Sequence, residues 1–137
     1  MIILSGSSTY GIKDLSEVYS TELNFISSTS IPLIGICMGF ELICEAFGAE
    51  FNKLNSKDLS IREIKYKDKF FLVKEAHLYS VINVNEELKV LATSENGIEI
   101  VKHTSRPIIG VQFHAESMTQ ELNGDELFDS LTKDLIF

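Results

Sequence analysis

The amino-acid sequence predicts an α/β fold: an open, mostly parallel sheet flanked by helices, with an antiparallel hairpin extension. Three observations lead there. The stretch 31–36, IPLIGI, is apolar without polar alternation, as in a strand covered on both faces. Helix-forming residues follow it at once, so strand and helix alternate in the first third of the chain. Beyond residue 58 the texture changes to short strand-like segments around turns, among them the strong hairpin signal Asn96-Gly97.

Each element follows in order. MIIL (1–4) forms a short apolar strand that ends in a small-residue loop, SGSSTYG (5–11). Asp14 caps a helix reaching about Ile26, with Leu15, Val18, Tyr19, Leu23 and Ile26 on one apolar face. Ser27 to Ser30 is a polar loop before the strand Ile31–Ile36. A helix from about Met38 to Phe47 stops at Gly48, a left-handed cap. LSIREIKY (59–66) and FFLVKE (70–75) are strands around the turn KDK, and 88–94 and 98–103 flank Asn96-Gly97. Ile108 to His114 is a further strand, and Gly124 to Leu135 a closing helix with Leu127, Phe128, Leu131 and Leu135 inward. No repeat or linker interrupts the chain, so residues 1–137 read as a single domain.

Composition narrows the function classes. The formal charge is −8, from 12 Lys+Arg against 20 Asp+Glu, which argues against nucleic acid or anionic lipid as partner. No apolar run approaches the roughly 20 residues of a membrane span, and no basic segment precedes the apolar start as in a signal peptide. Cys37 and Cys44 lie seven residues apart on one helical segment, too far to bridge, which fits a reduced, cytoplasmic protein. The histidines are scattered and no C-x-x-C pair occurs, so neither metal nor other cofactor is expected.

The chemistry concentrates at Gly35-Ile36-Cys37-Met38-Gly39. This spacing fits a G-x-nucleophile-x-G elbow, a turn so sharp that the neighbours two residues away must be small. A helix N-terminus there favours a thiolate and an oxyanion. A buried structural cysteine beside incidental glycines fits the same residues. The partner motif tips the balance: in GVQFHAES (110–117), His114 stands at a strand end as a base, and Glu116, two residues on, can orient it.

These pieces together resemble the class I (triad) glutamine amidotransferases. IILSGSS (2–8), PLIGICMGFELICEAFGAE (32–50), KHTSRPIIGVQFHAES (102–117) and NGDELFDSL (123–131) carry the resemblance. Their order is most like the amidotransferase subunit of GMP synthetases, with anthranilate and aminodeoxychorismate synthase subunits close behind. The resemblance implies the flavodoxin-like fold of that family. It implies that Cys37 attacks the carboxamide of glutamine to give a γ-glutamyl thioester, that His114 shuttles the proton, and that Glu116 orients His114. The N–H groups of Ser7 and Met38 would form the oxyanion hole. Gly6, Gly39, Glu41, Leu78 and Tyr79 stand where the substrate is held, and His77 sits beside them. His103 is expected to be structural and Cys44 a small core residue. Ammonia would pass to a separate synthase.

Four departures qualify the resemblance. The family carries strand–helix units before the IILSG strand, so a sheet starting at Met1 is expected to be covered by a partner or by self-association. The loop SGSS puts Ser7 where the family has a second glycine. Glu41 replaces a glutamine, one turn after Cys37 on the same helix face; such a carboxylate raises the thiol's pKa or binds an amine, as the similar G-F-E run of γ-glutamyl hydrolases suggests. Ala115 replaces proline between His114 and Glu116. A γ-glutamyl peptide or amide hydrolase is therefore the second expectation, and a non-catalytic, partner-binding or glutamine-sensing homologue the third.

Overall fold

The computed structural model describes residues 1–6, 17–117, 119 and 121–136. The expected cap Asp14 and the first turns of its helix lie outside these residues, as does Ser7. The elements are β1 (Ile2–Leu4), α1 (Ser20–Ser28), β2 (Leu33–Ile36), α2 (Met38–Ala46), β3 (Glu50–Asp58), β4 (Ile61–Tyr66), β5 (Lys69–Lys74), β6 (His77–Asn83), β7 (Leu88–Ser94), β8 (Gly97–His103), β9 (Ile108–Val111) and α3 (Gly124–Ile136).

One seven-stranded sheet runs in the order β1-β2-β9-β8-β6-β3, with β7 also paired to β8; β4 and β5 form a separate two-stranded sheet. The first three strands are parallel, Ile34 lying against Ile3 on one side and Ile109 on the other. The rest of the sheet is antiparallel. The antiparallel extension is broader than the hairpins alone imply, because β3 and β6 join it. β3 escaped notice because its residues are mostly exposed and polar, with no apolar face to read.

Alternating residues of β2 and β9 feed two cores. Leu33 and Ile108 pack with Phe40, Ile43 and Cys44 of α2 and Ile26 of α1. Ile34 and Ile109 pack on the other face with Leu127, Leu131 and Leu135 of α3, and with Ile64 and Phe71 of the β4–β5 hairpin. Coverage on both faces is why these strands lack polar residues.

Local chemistry sets the element ends. β2 begins at Leu33 rather than Ile31, since Pro32 has no N–H to give; its carbonyl accepts from Ile2 N–H at 2.8 Å. Gly48 closes α2 at φ 71, as expected of its cap position. The β4–β5 turn places Lys67 and Asp68 both at positive φ, the geometry of a two-residue turn matched to strand twist. In the β7–β8 hairpin the turn residues are Glu95 and Asn96, with Gly97 already opening β8. β9 stops at Val111, three residues short of the expected His114. The cause is a change of partner: His114 N–H donates to Lys74 O at 2.8 Å, drawing the chain out of the sheet to the end of β5.

Ile109 is wholly buried at the centre of the sheet, whereas Ile82 is 53% exposed. Ile109→Ala should cost about 2–5 kcal/mol in urea unfolding, and Ile82→Ala well under about 1 kcal/mol. Equal costs would contradict this placement of the core.

Candidate active site

Three backbone segments meet where β2 turns into α2. A Cβ on Gly35 would lie 2.4 Å from Gly39 O, and one on Gly39 would lie 2.2 Å from Leu4 O. No side chain fits at either position, so β1, β2 and α2 close to backbone contact only with glycine there. The turn forces Cys37 to φ 54, ψ −102, a sparsely populated conformation for a residue with a side chain. Hydrogen bonds hold it in place: Cys37 N–H donates to Val111 O at 2.9 Å, and Glu41 N–H to Cys37 O at 3.0 Å. The predicted elbow is present.

The thiol at its tip is buried, and Sγ donates to Ala76 O at 3.4 Å. Burial pushes the Cys37 thiol up to about 12, and the carboxylate of Glu41 adds to the rise; the Met38 N–H works the other way. A resting thiolate, expected from the helix N-terminus, is therefore overruled by desolvation and by Glu41. Glu41 itself is 2% exposed, one turn along α2.

His114 and Glu116 lie in the loop after β9. His114 Nδ1 faces Glu116 Oε1 at 2.5 Å, and Nε2 is buried with no hydrogen-bond partner among the described residues. Gly6 connects this pair to the elbow. A Cβ built on Gly6 would stand 2.8 Å from Cys37 Cβ and 3.0 Å from His114 Cε1, so both side chains border one small space that glycine leaves open. A cavity of about 450 Å³ opens on the Glu116 side, lined by Gly6, Ile36, Ala115 and Phe128.

The structure thus brings Cys37, Met38, Gly39, Glu41, Gly6, His114 and Glu116 together from three segments of the chain. Leu78 and Tyr79 open β6, two and three residues beyond the carbonyl that meets Cys37 Sγ. His77 is buried, its Nδ1 2.8 Å from Tyr79 O. His103 is structural, as expected: its ring meets Phe47 edge-on at 4.8 Å, and its Nδ1 accepts from the Ser105 and Arg106 N–H groups at 3.1 Å. Cys44 is fully buried in the core.

Sequence reasoning missed the segment 74–76 and the acids behind it. Lys74 O holds His114 N–H, Ala76 O meets Cys37, and Glu75 and Glu99 are buried at 0% and 1% exposure. The signals were there: Glu75, His77 and Tyr79 alternate along one side of a strand, and Glu99 is a lone acid in the apolar run GIEIV. Asp58, Glu75 and His77 also bring three ligand-type atoms within 4.8 Å of one another. Asp58 is already saturated, however, by Ser60 N–H and Oγ at 3.0 and 2.6 Å, Arg62 Nη2 at 2.6 Å and Asn96 Nδ2 at 2.8 Å. The guanidinium supplies the positive charge that an ion would bring, so these residues do not suit a metal.

Two outcomes follow. If the elbow holds strain, Cys37→Gly should unfold at higher denaturant than Cys37→Ala, by about 1–3 kcal/mol; parity would mean a relaxed turn. If the thiol is protonated at rest, alkylation of Cys37 by iodoacetamide should rise roughly tenfold per pH unit through pH 9, and Glu41→Gln should speed it at every pH below that. A rate flat above pH 7 would show a thiolate instead.

Comparison with known proteins agrees with this geometry. The family model for class-I glutamine amidotransferases matches residues 2–133. The chain is 30% identical to a subunit of the glutamine-hydrolysing GMP synthase of Methanococcus aeolicus, over 96% of this chain and 72% of that protein. It is 31% identical to the corresponding subunit of Methanococcus maripaludis, over 96% and 71%. Among solved structures it superposes on a candidate GMP synthase subunit from Thermoplasma acidophilum with a TM-score of 0.81 at 22% identity, covering 98% of this chain and 71% of that one. A glutamine amidotransferase from Thermotoga maritima shares the fold with a TM-score of 0.67 at 17% identity, over 98% and 66%. The elbow, its surrounding sheet and these likenesses converge: the chain belongs to the class-I glutamine amidotransferase family.

Proposed function

We propose that this protein hydrolyses the side-chain amide of glutamine to glutamate and ammonia through a Cys37–His114–Glu116 triad. The observation that carries the reading is the shared space in front of Gly6, bordered by Cys37 on its elbow and by His114, whose outer nitrogen has no partner among the described residues and whose inner nitrogen is held by Glu116.

The chemistry then runs in two halves. Glutamine enters with its amide carbon against Sγ. Because the resting thiol is protonated, His114 Nε2 takes its proton as the carbon–sulfur bond forms. Glu116 stabilises the imidazolium and fixes its tautomer. The oxyanion is met by the Met38 N–H; the family resemblance assigns the second donor to Ser7, which lies outside the described residues. His114 returns the proton to the leaving nitrogen, and ammonia departs from a γ-glutamyl thioester. Water, deprotonated by His114, attacks the thioester; glutamate leaves and Sγ regains its proton. Gly6, Gly39, Leu78 and Tyr79 line the substrate's path, and no cofactor takes part.

The relatives are named as one subunit of GMP synthase. By that likeness the ammonia goes to a separate synthase subunit, in the cytoplasm, where both cysteines stay reduced. One observation favours a second reading, a γ-glutamyl peptide or amide hydrolase. Glu41 is a buried carboxylate one turn along α2 from Cys37, close enough to raise its thiol, and a carboxylate there suits a substrate ammonium.

Ammonia release by the purified chain separates the readings, measured with glutamine and with γ-glutamyl amides beside Cys37→Ala. Glutamine should be hydrolysed, and Cys37→Ala should lower the rate by at least about 10³-fold. Turnover of γ-glutamyl amides alone would move the assignment to the hydrolase. No Cys37-dependent release, even in the presence of a synthase partner, would leave a non-catalytic homologue.

A further inference from the structure

At rest the thiol and the proposed base are not bonded to each other. Cys37 Sγ donates to Ala76 O at 3.4 Å. His114 Nε2 is buried and has no hydrogen-bond partner among the described residues. Were the sulfur bonded to the ring, that nitrogen would be satisfied. Yet the two side chains border the same small space. A Cβ on Gly6 would stand 2.8 Å from Cys37 Cβ and 3.0 Å from His114 Cε1, the ring carbon next to Nε2. The proposed hydrolysis hands the thiol's proton to His114, so the sulfur must first change partner.

The acceptor it leaves behind is fixed. Ala76 joins β5 to β6, and the residues around it are tied down. Lys74 O accepts the N–H of His114 at 2.8 Å, and Glu75 N–H donates to Ser60 O at 2.9 Å. On the other side, His77 Nδ1 lies 2.8 Å from Tyr79 O. Once the sulfur departs, the Ala76 carbonyl needs another donor. A thiol is a weak donor and an amide N–H a stronger one. In a carboxamide attacked by Sγ, the scissile nitrogen stands one bond from the attacked carbon. An acceptor that reaches the sulfur is then within reach of that nitrogen.

We propose that the Ala76 carbonyl selects the scissile group of the substrate: it holds the thiol at rest and exchanges the S–H for an N–H of the entering carboxamide, which frees the sulfur to turn to His114. The inference rests on the proposed hydrolysis and states what its substrate must carry, an N–H on the leaving group. A primary amide brings two such donors. An ester sets an oxygen lone pair against the carbonyl oxygen instead, and leaves the thiol on Ala76. Glu41 is the other group beside the sulfur that could favour an N–H, because its carboxylate reaches the thiol closely enough to raise it.

The test compares glutamine with glutamate γ-methyl ester on the full chain, following glutamate release beside Cys37→Ala. Esters acylate thiols faster than amides when nothing selects between them, so intrinsic reactivity favours the ester. Glutamine should nevertheless exceed the ester by at least about tenfold in Cys37-dependent kcat/KM. An ester turned over as fast as glutamine, or faster, would overturn the proposal. Glu41→Gln should keep that ratio within about threefold. A ratio that collapses in this variant would assign the selection to Glu41 and overturn the role of Ala76. The resting contact has its own readout. With Cys44→Ala leaving a single thiol, the Raman S–H band of Cys37 should lie at the lowered frequency of a bonded thiol. A band at the free-thiol position would overturn the proposal, whatever the rates. A bonded S–H in a chain that releases glutamate from neither compound would instead overturn the proposed hydrolysis, and the selection with it.

Discussion

The site depends on one constraint: three backbones approach within contact distance at the end of β2. Gly35 lies against Gly39, and Gly39 lies against the carbonyl of Leu4. That closeness leaves Cys37 no relaxed conformation, and the strained turn lifts its sulfur off the sheet. A side chain at Gly35 would push α2 off β2, and one at Gly39 would push it off β1, opening the turn in either case. The apolar packing on both faces of β2 and β9 supplies the rigidity that keeps the turn closed.

The parallel strands alone do not make the site. They deliver the elbow through β2, Gly6 after β1, and the strand that leads to His114. The antiparallel half contributes the counter-surface, residues 74–79, which accept the N–H of His114 and the thiol of Cys37 through main-chain carbonyls. Main-chain acceptors do not depend on side-chain identity, so this half of the site leaves little trace in sequence. The division also explains why His114 departs from the β9 ladder: its backbone exchanges a sheet neighbour for the end of β5.

The parts of the fold that were legible in sequence are those whose residues carry a physical signature. β2 and β9 read as strands because both faces are covered, and α2 because glycine marks its end. The elbow was legible because glycines two residues either side of a thiol suit little besides a sharp turn. His114 and Glu116 were legible because their alternation places two functional groups side by side. By contrast, β3 pairs through its backbone while showing solvent its side chains, so its composition resembles a loop. Glu75 and Glu99 were overlooked because acids are ordinarily solvent-facing, and only the folded structure shows them buried. The protonated thiol was legible only in part, through Glu41 one turn on; the larger cause was not. A helix terminus can be read from sequence, but the loss of water around Cys37 depends on segments distant along the chain.

That buried thiol has a consequence for the lifetime of the protein. Peroxide and other cellular oxidants attack thiolates, and a sulfur kept protonated behind Ala76 and beside Glu41 offers them almost none. The same proton that burial holds on the sulfur shields it from oxidation. The folded chain can thus persist through oxidative stress without sulfenic acid forming at the tip of its tightest turn.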